Sequence, residues 1–148
     1  MTDFKDKSFY ELSHDELFNV FKLRVDVFVV EQNCPYHEID EVDRVPSTRH
    51  ILFSESDHLQ AYARCYSKEN GAAAIGRVLI STEQRGSGIA YKLMESALAC
   101  CIAHFPNRPI EISAQTYLQP FYQKLGFEVV SEAYLEDGIE HIDMLLKP

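Results

Sequence analysis

The chain has 148 residues, of which 46% are hydrophobic and 25% are charged, and its formal net charge is −9. This length and composition predict one globular domain over residues 1–148, and the negative charge argues against general binding to nucleic acid or to anionic membranes. No apolar run approaches the roughly 20 residues that a membrane span needs, and the polar N-terminus does not resemble a targeting signal, so we expect a cytoplasmic protein.

Two longer helices and one short helix are predicted from apolar spacing and from end signals. Ser13, with Glu16 three residues later, forms a capping box, and apolar residues at helical spacing extend the first helix from about Ser13 into the high twenties. The second helix is predicted from Tyr91 to Phe105, where an apolar stripe would pack on a sheet. The short third helix, "LQPFYQKLGF", is expected to end at Gly126.

The predicted strands alternate in polarity or form short apolar runs bounded by turn residues. Two hairpins are expected, one around Asp57-His58 and one at Asp137-Gly138, which is a strong turn signal. A charged stretch without periodicity, "NCPYHEIDEVDRVPSTR", is long enough to be a functional loop. The order of elements, β-α-β-β-β-α-β-α-β-β, predicts an α/β fold (α+β mixed) in which helices cover a mixed sheet. The predicted strands are FKDKSFYEL, HILFSES, LQAYARCYS, AIGRVLIS, PIEISAQ, FEVVSEAYL and IEHIDMLL.

The four cysteines do not form a recognisable metal or disulfide pattern. Cys34, Cys65, Cys100 and Cys101 have no CxxC spacing, and two of them are neighbours on the second predicted helix. We therefore expect free thiols in a reducing compartment and no metal ion.

A glycine-rich junction, "EQRGSGIA", lies between the strand "AIGRVLIS" and the second helix. Helix N-termini bind anions through unpaired N–H groups, and glycines let a phosphate approach the backbone. The junction matches neither the GxxxxGK[ST] loop nor the GxGxxG fingerprint of common nucleotide sites. Taken alone, the glycines are equally compatible with a tight turn that binds nothing.

Two motifs together resemble the GNAT superfamily of N-acetyltransferases. Arg85-Gly86-Ser87-Gly88-Ile89-Ala90 matches its R-x-x-G-x-[GA] loop, and "ISAQTYLQPFYQKLGF" resembles its second signature, a strand followed by a helix with F-Y-x-K-x-G-F. Both motifs occur in the family's order and on the expected elements. The stretches "FKLRVDVFVVEQNCPYHEID" and "EDGIEHIDM" resemble the bacterial ElaA-type branch, so the resemblance covers nearly the whole chain.

The resemblance implies a GNAT-type sheet, mostly antiparallel and flanked by helices, whose strands splay apart at the coenzyme site. The loop would hold the pyrophosphate of acetyl-CoA, and the preceding strand would pair with the pantetheine arm. Many relatives carry an asparagine near the end of the next strand, where this chain has Ala114-Gln115, so Gln115 either makes that contact or the contact is missing. The implied coenzyme-binding residues are Val78, Leu79, Ile80, Arg85, Gly86, Ser87, Gly88, Ile89, Ala90 and Gln115.

The chemistry of acetyl transfer requires a base for the amine, stabilisation of an oxyanion and an acid for the thiolate. By resemblance, Tyr122 is the general acid, because it occupies the tyrosine position of F-Y-x-K-x-G-F. An ordinary tyrosine pKa of about 10 would keep it protonated. The base is open among four candidates, each of which could instead be structural: Glu31, His50, Glu111 and His141.

Two classes of function follow. The first is an acetyl-CoA-dependent N-acetyltransferase that transfers the acetyl group directly to a primary amine of a small molecule or a protein. A covalent route through Cys34 is disfavoured, because nothing in its acidic loop would lower its pKa. The second is an acyl-CoA-binding sensor or interaction module without catalysis. Acidic residues, among them Glu38, Asp43, Glu136 and Asp137, either attract a cationic acceptor or form a solvated surface. A homodimer is one possible assembly.

Overall fold

A computed structural model describes residues 4–33 and 37–148 of the chain. It contains eight strands and three α-helices in the predicted order, apart from one predicted strand that is divided in two. The strands are β1 (Phe4–Lys7), β2 (Arg49–Glu55), β3 (His58–Ser67), β4 (Ala73–Ile80), β5 (Ile110–Gln115), β6 (Glu128–Val129), β7 (Tyr134–Glu136) and β8 (Ile139–Leu146). The α-helices are α1 (His14–Arg24), α2 (Ile89–His104) and α3 (Gln119–Lys124).

All eight strands belong to one mixed sheet, in the order β1-β2-β3-β4-β5-β8-β6, with β7 also paired to β8. Every pairing is antiparallel except that of β4 with β5. This mostly antiparallel sheet, flanked by helices, confirms the expected fold class. Within the described ranges, no helix has the length and apolarity needed to span a membrane.

The two larger helices cover opposite faces of the sheet. Helix α2 buries Leu93, Met94 and Ala97 in a core that also contains the inward side chains of β5 and β8. Helix α1 packs Val20 into a second, smaller core over β2, β3 and β4. Because α1 does not extend over β5 and β8, the face of these two strands opposite α2 remains open. That open face forms one wall of the cleft described below.

The first helix begins where the capping box predicts. The Ser13 hydroxyl accepts a hydrogen bond from the backbone N–H of Glu16 at 3.1 Å, and the Glu16 carboxylate accepts one from the Ser13 N–H at 2.9 Å. The α-helix ends at Arg24, and a π-helix continues the winding over Val25–Glu31. The helical winding therefore reaches beyond the high twenties, although only its first part is α-helical.

The two expected hairpins are confirmed, and their turns have the left-handed backbone of two-residue connections. Ser56 and Asp57 (φ 51° and 64°) join β2 to β3, and Asp137 and Gly138 (φ 52° and 78°) join β7 to β8. Helix α3 is followed by Gly126 at φ 102°, as its sequence predicts.

Two predicted boundaries were wrong. Helix α2 begins at Ile89, two residues before Tyr91, because Gly88 at φ 83° already acts as its N-cap. The predicted strand "FEVVSEAYL" is divided into β6 and β7. The Asp143 N–H donates to the side-chain oxygen of Ser131 at 2.9 Å and not to a backbone carbonyl, so the ladder is interrupted there.

A bulge in β4 separates it from β5. Tyr62 pairs with Leu79 and Arg64 pairs with Gly76, so two residues of β4, Arg77 and Val78, oppose one residue of β3. Arg77 has the left-handed φ of 52°. Bulges bend a strand and increase its twist. The pairing of β4 with β5 includes only Ala73 with Ile110 and Ala74 with Glu111, so the strands splay beyond this point.

A buried network of arginines and carboxylates stabilises the bulge. Arg24 donates to the Glu38 carboxylate at 2.6 Å and to the Asp43 carboxylate at 2.6 Å, and the side chains of all three are at most 2% exposed. Arg77 donates to the same Glu38 oxygen at 2.9 Å, and Arg64 donates to Asp43 at 3.1 Å. Burial opposes ionisation of Asp43, but the hydrogen bonds and charges of the two arginines lower its pKa.

Removing Arg24 should destabilise the protein strongly. In Arg24→Ala, two carboxylates lose a buried partner, and breaking a buried ion pair in this way costs about 3–5 kcal/mol. Urea denaturation monitored by circular dichroism measures the loss. The matched control is Lys22→Ala, which removes the exposed Lys22–Asp26 pair and should cost less than about 1 kcal/mol.

The network also predicts how stability depends on pH. Because folding lowers the pKa of Asp43 below its ordinary value of 3.8, the ionised Asp43 carboxylate stabilises the folded state above that pH. This contribution to the free energy of unfolding is lost as the pH falls through the folded-state pKa.

An Arg24→Ala protein with the unfolding free energy of the Lys22→Ala control would show that the network does not stabilise the fold.

Candidate active site

A cleft of about 730 Å³ opens between the splayed ends of β4 and β5. One wall is β4 from Ala74 to Ile80, and the other is β5 from Glu111 to Gln115. The π-helix and the β7–β8 hairpin border the opening. Ten predicted site residues line this cleft: Val78, Leu79, Ile80, Arg85, Ala90, Gln115, Tyr122, His141, Glu31 and Glu111. Four residues of the predicted loop are not among those that line it: Gly86, Ser87, Gly88 and Ile89.

The glycine-rich junction forms a tight loop at the N-terminus of α2. Gly86 and Gly88 have φ values of 82° and 83°, which L-residues adopt only with strain. A Cβ at either position would meet no atom within 4 Å, so the surrounding space is open. The Ser87 hydroxyl is directed away from this open space, since it donates to the Gln84 carbonyl at 2.6 Å. The first-turn amides of α2 lack acceptors within the helix, so the loop presents donors beside an open space.

Arg85 joins the loop to both neighbouring elements. Its Nε donates to the Ile80 carbonyl at 3.2 Å, and its Nη2 donates to the two Glu31 carboxylate oxygens at 2.9 and 3.1 Å. Both side chains are more than 40% exposed. An incoming phosphate would compete with Glu31 for this guanidinium, because a guanidinium can donate two parallel hydrogen bonds to a phosphate.

Tyr122 lies at the base of the cleft. It is 6% exposed and packs edge-on against Phe121 and Phe127, with ring centroids 5.2 and 6.1 Å away. Burial, with a smaller effect from Tyr117, raises the pKa of Tyr122 to about 12. The phenol is therefore protonated at neutral pH.

Two of the four base candidates are carboxylates held by cations. Glu31 is bound by Arg85, as described above. Glu111 lies at the narrow end of the cleft, where it accepts hydrogen bonds from Asn70 at 3.1 Å and contacts Lys68 at 3.1 Å. These contacts, the one with Asn70 first, lower the pKa of Glu111 and weaken it as a base.

The structure does not bring His50 to the cleft. Its ring is fully buried; Nδ1 lies 2.5 Å from the Tyr62 hydroxyl, and Nε2 lies 3.1 Å from the Asp43 carbonyl. Burial lowers the pKa of His50, so the ring stays neutral beside Arg24 and Arg64. A structural role accounts for this residue.

His141 lines the cleft, and one of its ring nitrogens is already engaged in a hydrogen bond with the backbone. Its Nδ1 lies 2.7 Å from the Ile139 carbonyl, which can only accept, so this nitrogen carries the hydrogen. The lone pair is then on Nε2, which lies 3.6 Å from the Glu136 carboxylate. The ring also stacks on Tyr134, with centroids 6.2 Å apart. This tautomer leaves Nε2 of His141 as a proton acceptor on the wall of the cleft.

A chain of hydroxyl groups on the β5 wall was missed by sequence reasoning. Tyr134 donates to the Asp143 carboxylate at 2.5 Å, so the Ser113 hydroxyl, also 2.5 Å away, must donate to the Tyr134 oxygen. Alternation on β5 could have indicated that Ser113 shares a face with Glu111 and Gln115. The pairing with Tyr134 depends on the β7–β8 hairpin and has no local signal.

Several expectations about the acidic and sulfur-containing residues now have an outcome. Glu38 and Asp43 are buried partners of arginines, so they neither attract an acceptor nor form a solvated surface. Glu136 and Asp137 border the cleft. Cys34 lies outside the described residues. Gln115 lines the cleft opposite His141 in the β5–β8 register, and its contact with a coenzyme stays a prediction.

Comparison with known proteins gives the class and then the family. A model of the acetyltransferase (GNAT) domain matches residues 15–148. The chain is 44% identical to protein ElaA of Escherichia coli over 146 residues, which is 97% of this chain and 95% of that protein. The crystal structure of E. coli ElaA superposes with a TM-score of 0.93 at 43% identity, covering 98% of this chain and 99% of the other.

A crystal structure of an acyl-CoA N-acyltransferase from Pseudomonas aeruginosa matches with a TM-score of 0.94 at 40% identity, covering 99% of both chains. A CoA-dependent acyl-homoserine lactone synthase, BjaI, solved with SAM and isopentyl-CoA, shares the fold at 17% identity and a TM-score of 0.82, over 99% of this chain and 83% of its own. The matches define an acyltransferase enzyme with acyl-CoA as cosubstrate. The chain belongs to the ElaA-like family of GNAT acetyltransferases.

Proposed function

We propose that this protein transfers an acetyl group from acetyl-CoA directly to a primary amine, of a small molecule or of a protein. The observation that carries the proposal is the cleft between β4 and β5, which is lined by Tyr122 and by Arg85 and Ala90, the first and last residues of the glycine-rich motif. A ternary complex fits this arrangement, because β4 and the β5–β8 surface offer separate walls for donor and acceptor.

The donor half of the proposal assigns the loop to the pyrophosphate and β4 to the pantetheine arm. The amides of residues 85–90 would hold the phosphates, with Arg85 exchanging Glu31 for a phosphate oxygen. The edge of β4 from Val78 to Ile80 has no strand partner on the β5 side in the described register, so its backbone groups can pair with the amides of pantetheine as a strand would. An N–H at Leu79 or Ile80 would polarise the thioester carbonyl.

The acid step is assigned to Tyr122. The amine attacks the carbonyl carbon, the C–S bond breaks, and charge develops on sulfur. With a pKa of about 12, roughly three units above an ordinary thiol, complete proton transfer from Tyr122 to the thiolate is uphill. We therefore assign Tyr122 as a hydrogen-bond donor to the departing sulfur, a more restricted role than that of a proton source.

The base step is assigned to His141, alone or through water. Its Nε2 would accept the proton that the amine loses on forming the amide. The acidic groups Glu136 and Asp137 favour an acceptor that carries positive charge away from its reacting amine. A cytoplasmic location, a single domain over residues 1–148 and a homodimeric assembly remain predictions.

Thiol release from acetyl-CoA across a panel of amines tests the proposed function. We expect turnover with at least one cationic amine, and preference for acetyl-CoA over longer acyl-CoAs. Thermal unfolding runs in parallel, because acetyl-CoA at about 100 times its Kd should stabilise the fold by about 2.7 kcal/mol. Stabilisation without turnover would favour the alternative, an acyl-CoA-binding sensor. Absence of stabilisation would contradict both.

Two substitutions should separate catalysis from coenzyme binding. Tyr122→Phe should lower kcat by about 10²-fold while leaving the Kd for CoA unchanged, because only the donor to sulfur is lost. Gly88→Val should raise the Kd at least tenfold, because φ 83° is strained for valine and the side chain enters the space assigned to phosphate.

The control for backbone strain is Gly71→Val, since Gly71 has φ 90° with open space but belongs to the β3–β4 connection and not to the loop at the N-terminus of α2. Calorimetric titration and initial rates provide the two readouts. An unchanged kcat in Tyr122→Phe removes the acid assignment, and equal CoA affinity in the two glycine variants removes the loop assignment.

His141→Gln should lower kcat/KM by about 10²-fold or more and should abolish the acidic limb of its pH profile, because glutamine cannot accept the proton. His58→Gln, exposed at the start of β3 and outside this cleft, is the matched control. A pH profile that retains its acidic limb in His141→Gln would assign the base to another group.

A further inference from the structure

A second cluster of reactive side chains lies away from the cleft, between the edge strand β1 and the last turn of α2. Asp6, Cys100 and His104 each offer one ligand atom, and these atoms lie within 4.8 Å of one another. None of the three lines the cleft between β4 and β5. We propose that Asp6, Cys100 and His104 form a binding site for a zinc ion.

The donor set is appropriate for zinc. Thiolate, imidazole and carboxylate are its usual ligands, at about 2.0–2.3 Å, so neighbouring ligand atoms of a tetrahedral site lie roughly 3.5 Å apart. Asp6 Oδ2 and His104 Nε2 are already 3.3 Å apart. Cys100 and His104 are four residues apart on α2, the spacing that presents two ligands on one helix face. Small rotations of the side chains would complete a three-residue site with a fourth position for water.

The surroundings hold one of the ligands in place. The Nε of Arg49 donates to Asp6 Oδ1 at 2.7 Å, which leaves Oδ2 directed at His104. Such an outer hydrogen bond orients a ligating carboxylate. With Cys100 ionised, the two negatively charged ligands would neutralise a divalent ion. The nearby Arg49 would then leave the group with a single net positive charge.

The exposure of the three side chains, and the contacts of the neighbouring Cys65 thiol, are also compatible with an ion at this site. Cys100 is 4% exposed, whereas the side chains of Asp6 and His104 are 34% and 39% exposed, so an ion can enter from solvent and reach the buried sulfur. The Cys65 thiol donates to the Ala97 carbonyl at 3.7 Å and is not part of the cluster of three ligand atoms.

Binding would join elements that are otherwise connected by few contacts. Strand β1 has only four residues and pairs with β2 alone. A zinc ion would attach it to α2, and the thiol proton of Cys100 would be released to solvent on binding. Zinc affinity should therefore fall as the pH is lowered. The absence of CxxC spacing led to an expectation of no metal, and only the fold brings Asp6 to the Cys-x-x-x-His pair.

Cobalt substitution tests the site without any assay of acetyl transfer. The reduced, chelator-treated full chain is titrated with Co²⁺ and then with Zn²⁺. We expect one Co²⁺ per chain, a thiolate-to-cobalt charge-transfer band with the visible bands of tetrahedral cobalt, and displacement by Zn²⁺, which binds more tightly. Asp6→Asn and His104→Ala should weaken Zn²⁺ at least tenfold, and Cys100→Ser should remove the charge-transfer band.

Two control variants should bind like the wild type. His14→Ala removes an exposed histidine from α1, and Cys34→Ser tests the one cysteine outside the described residues. Because Asp6 and His104 are partly exposed, their variants remain informative even if Cys100→Ser fails to fold. The proposal is overturned if the wild type shows no thiolate band, if the band is lost in Cys34→Ser, or if His104→Ala retains wild-type affinity.

Discussion

The buried network around Arg24 is the constraint on which the geometry of the cleft depends. Arg24 binds Glu38 and Asp43 without exposure to water, and Glu38 in turn binds Arg77 at the bulge of β4. A charged group that is buried away from water loses its hydration, and this cost must be offset by oppositely charged partners with good hydrogen-bond geometry. The network thereby fixes the segment from Glu38 to Asp43, the end of α1 and the bulge relative to one another.

The bulge has a direct consequence for function. A regular β4 would pair with β5 along its length and leave no cleft, whereas the extra residue at Arg77 directs the strand away after Ala74. The same strand then leads into the loop at Gly86 and Gly88. One irregularity therefore creates an unpaired edge on β4 and places the glycine-rich loop at the end of the same strand. The opposite wall, formed by β5 and β8, carries the polar groups assigned to the acceptor.

Local chemistry explains which features could be predicted from sequence. The capping box at Ser13 and the Asp137-Gly138 turn are determined by residues close together in the chain, and both were expected. The single strand "FEVVSEAYL" was wrong because the Ser131 side chain, which alternation does not reveal, replaces a backbone partner. Helix α2 starts early because the same loop supplies its N-cap.

In the candidate site, too, the features set by residues close together in the chain could be predicted, and those set by distant residues could not. The glycine-rich loop and Tyr122 belong to contiguous motifs, so the sequence indicated both as candidates. The base could not be chosen, since His50 and His141 look alike in sequence and differ only in tertiary surroundings: one is buried against Tyr62 and the other faces the cleft. The arginine network and the Ser113–Tyr134–Asp143 chain join residues far apart in sequence. Neither leaves a local pattern.

The central claim is that the opening between β4 and β5 holds the donor, and a titration of the ¹⁵N-labelled protein with CoA tests it most directly. The account predicts that the largest amide shifts occur at residues 85–90 and 78–80, with little change in β1 and β2. Shifts confined to other surfaces, with the amides of Gly86, Gly88 and Leu79 unmoved at saturating CoA, would contradict it.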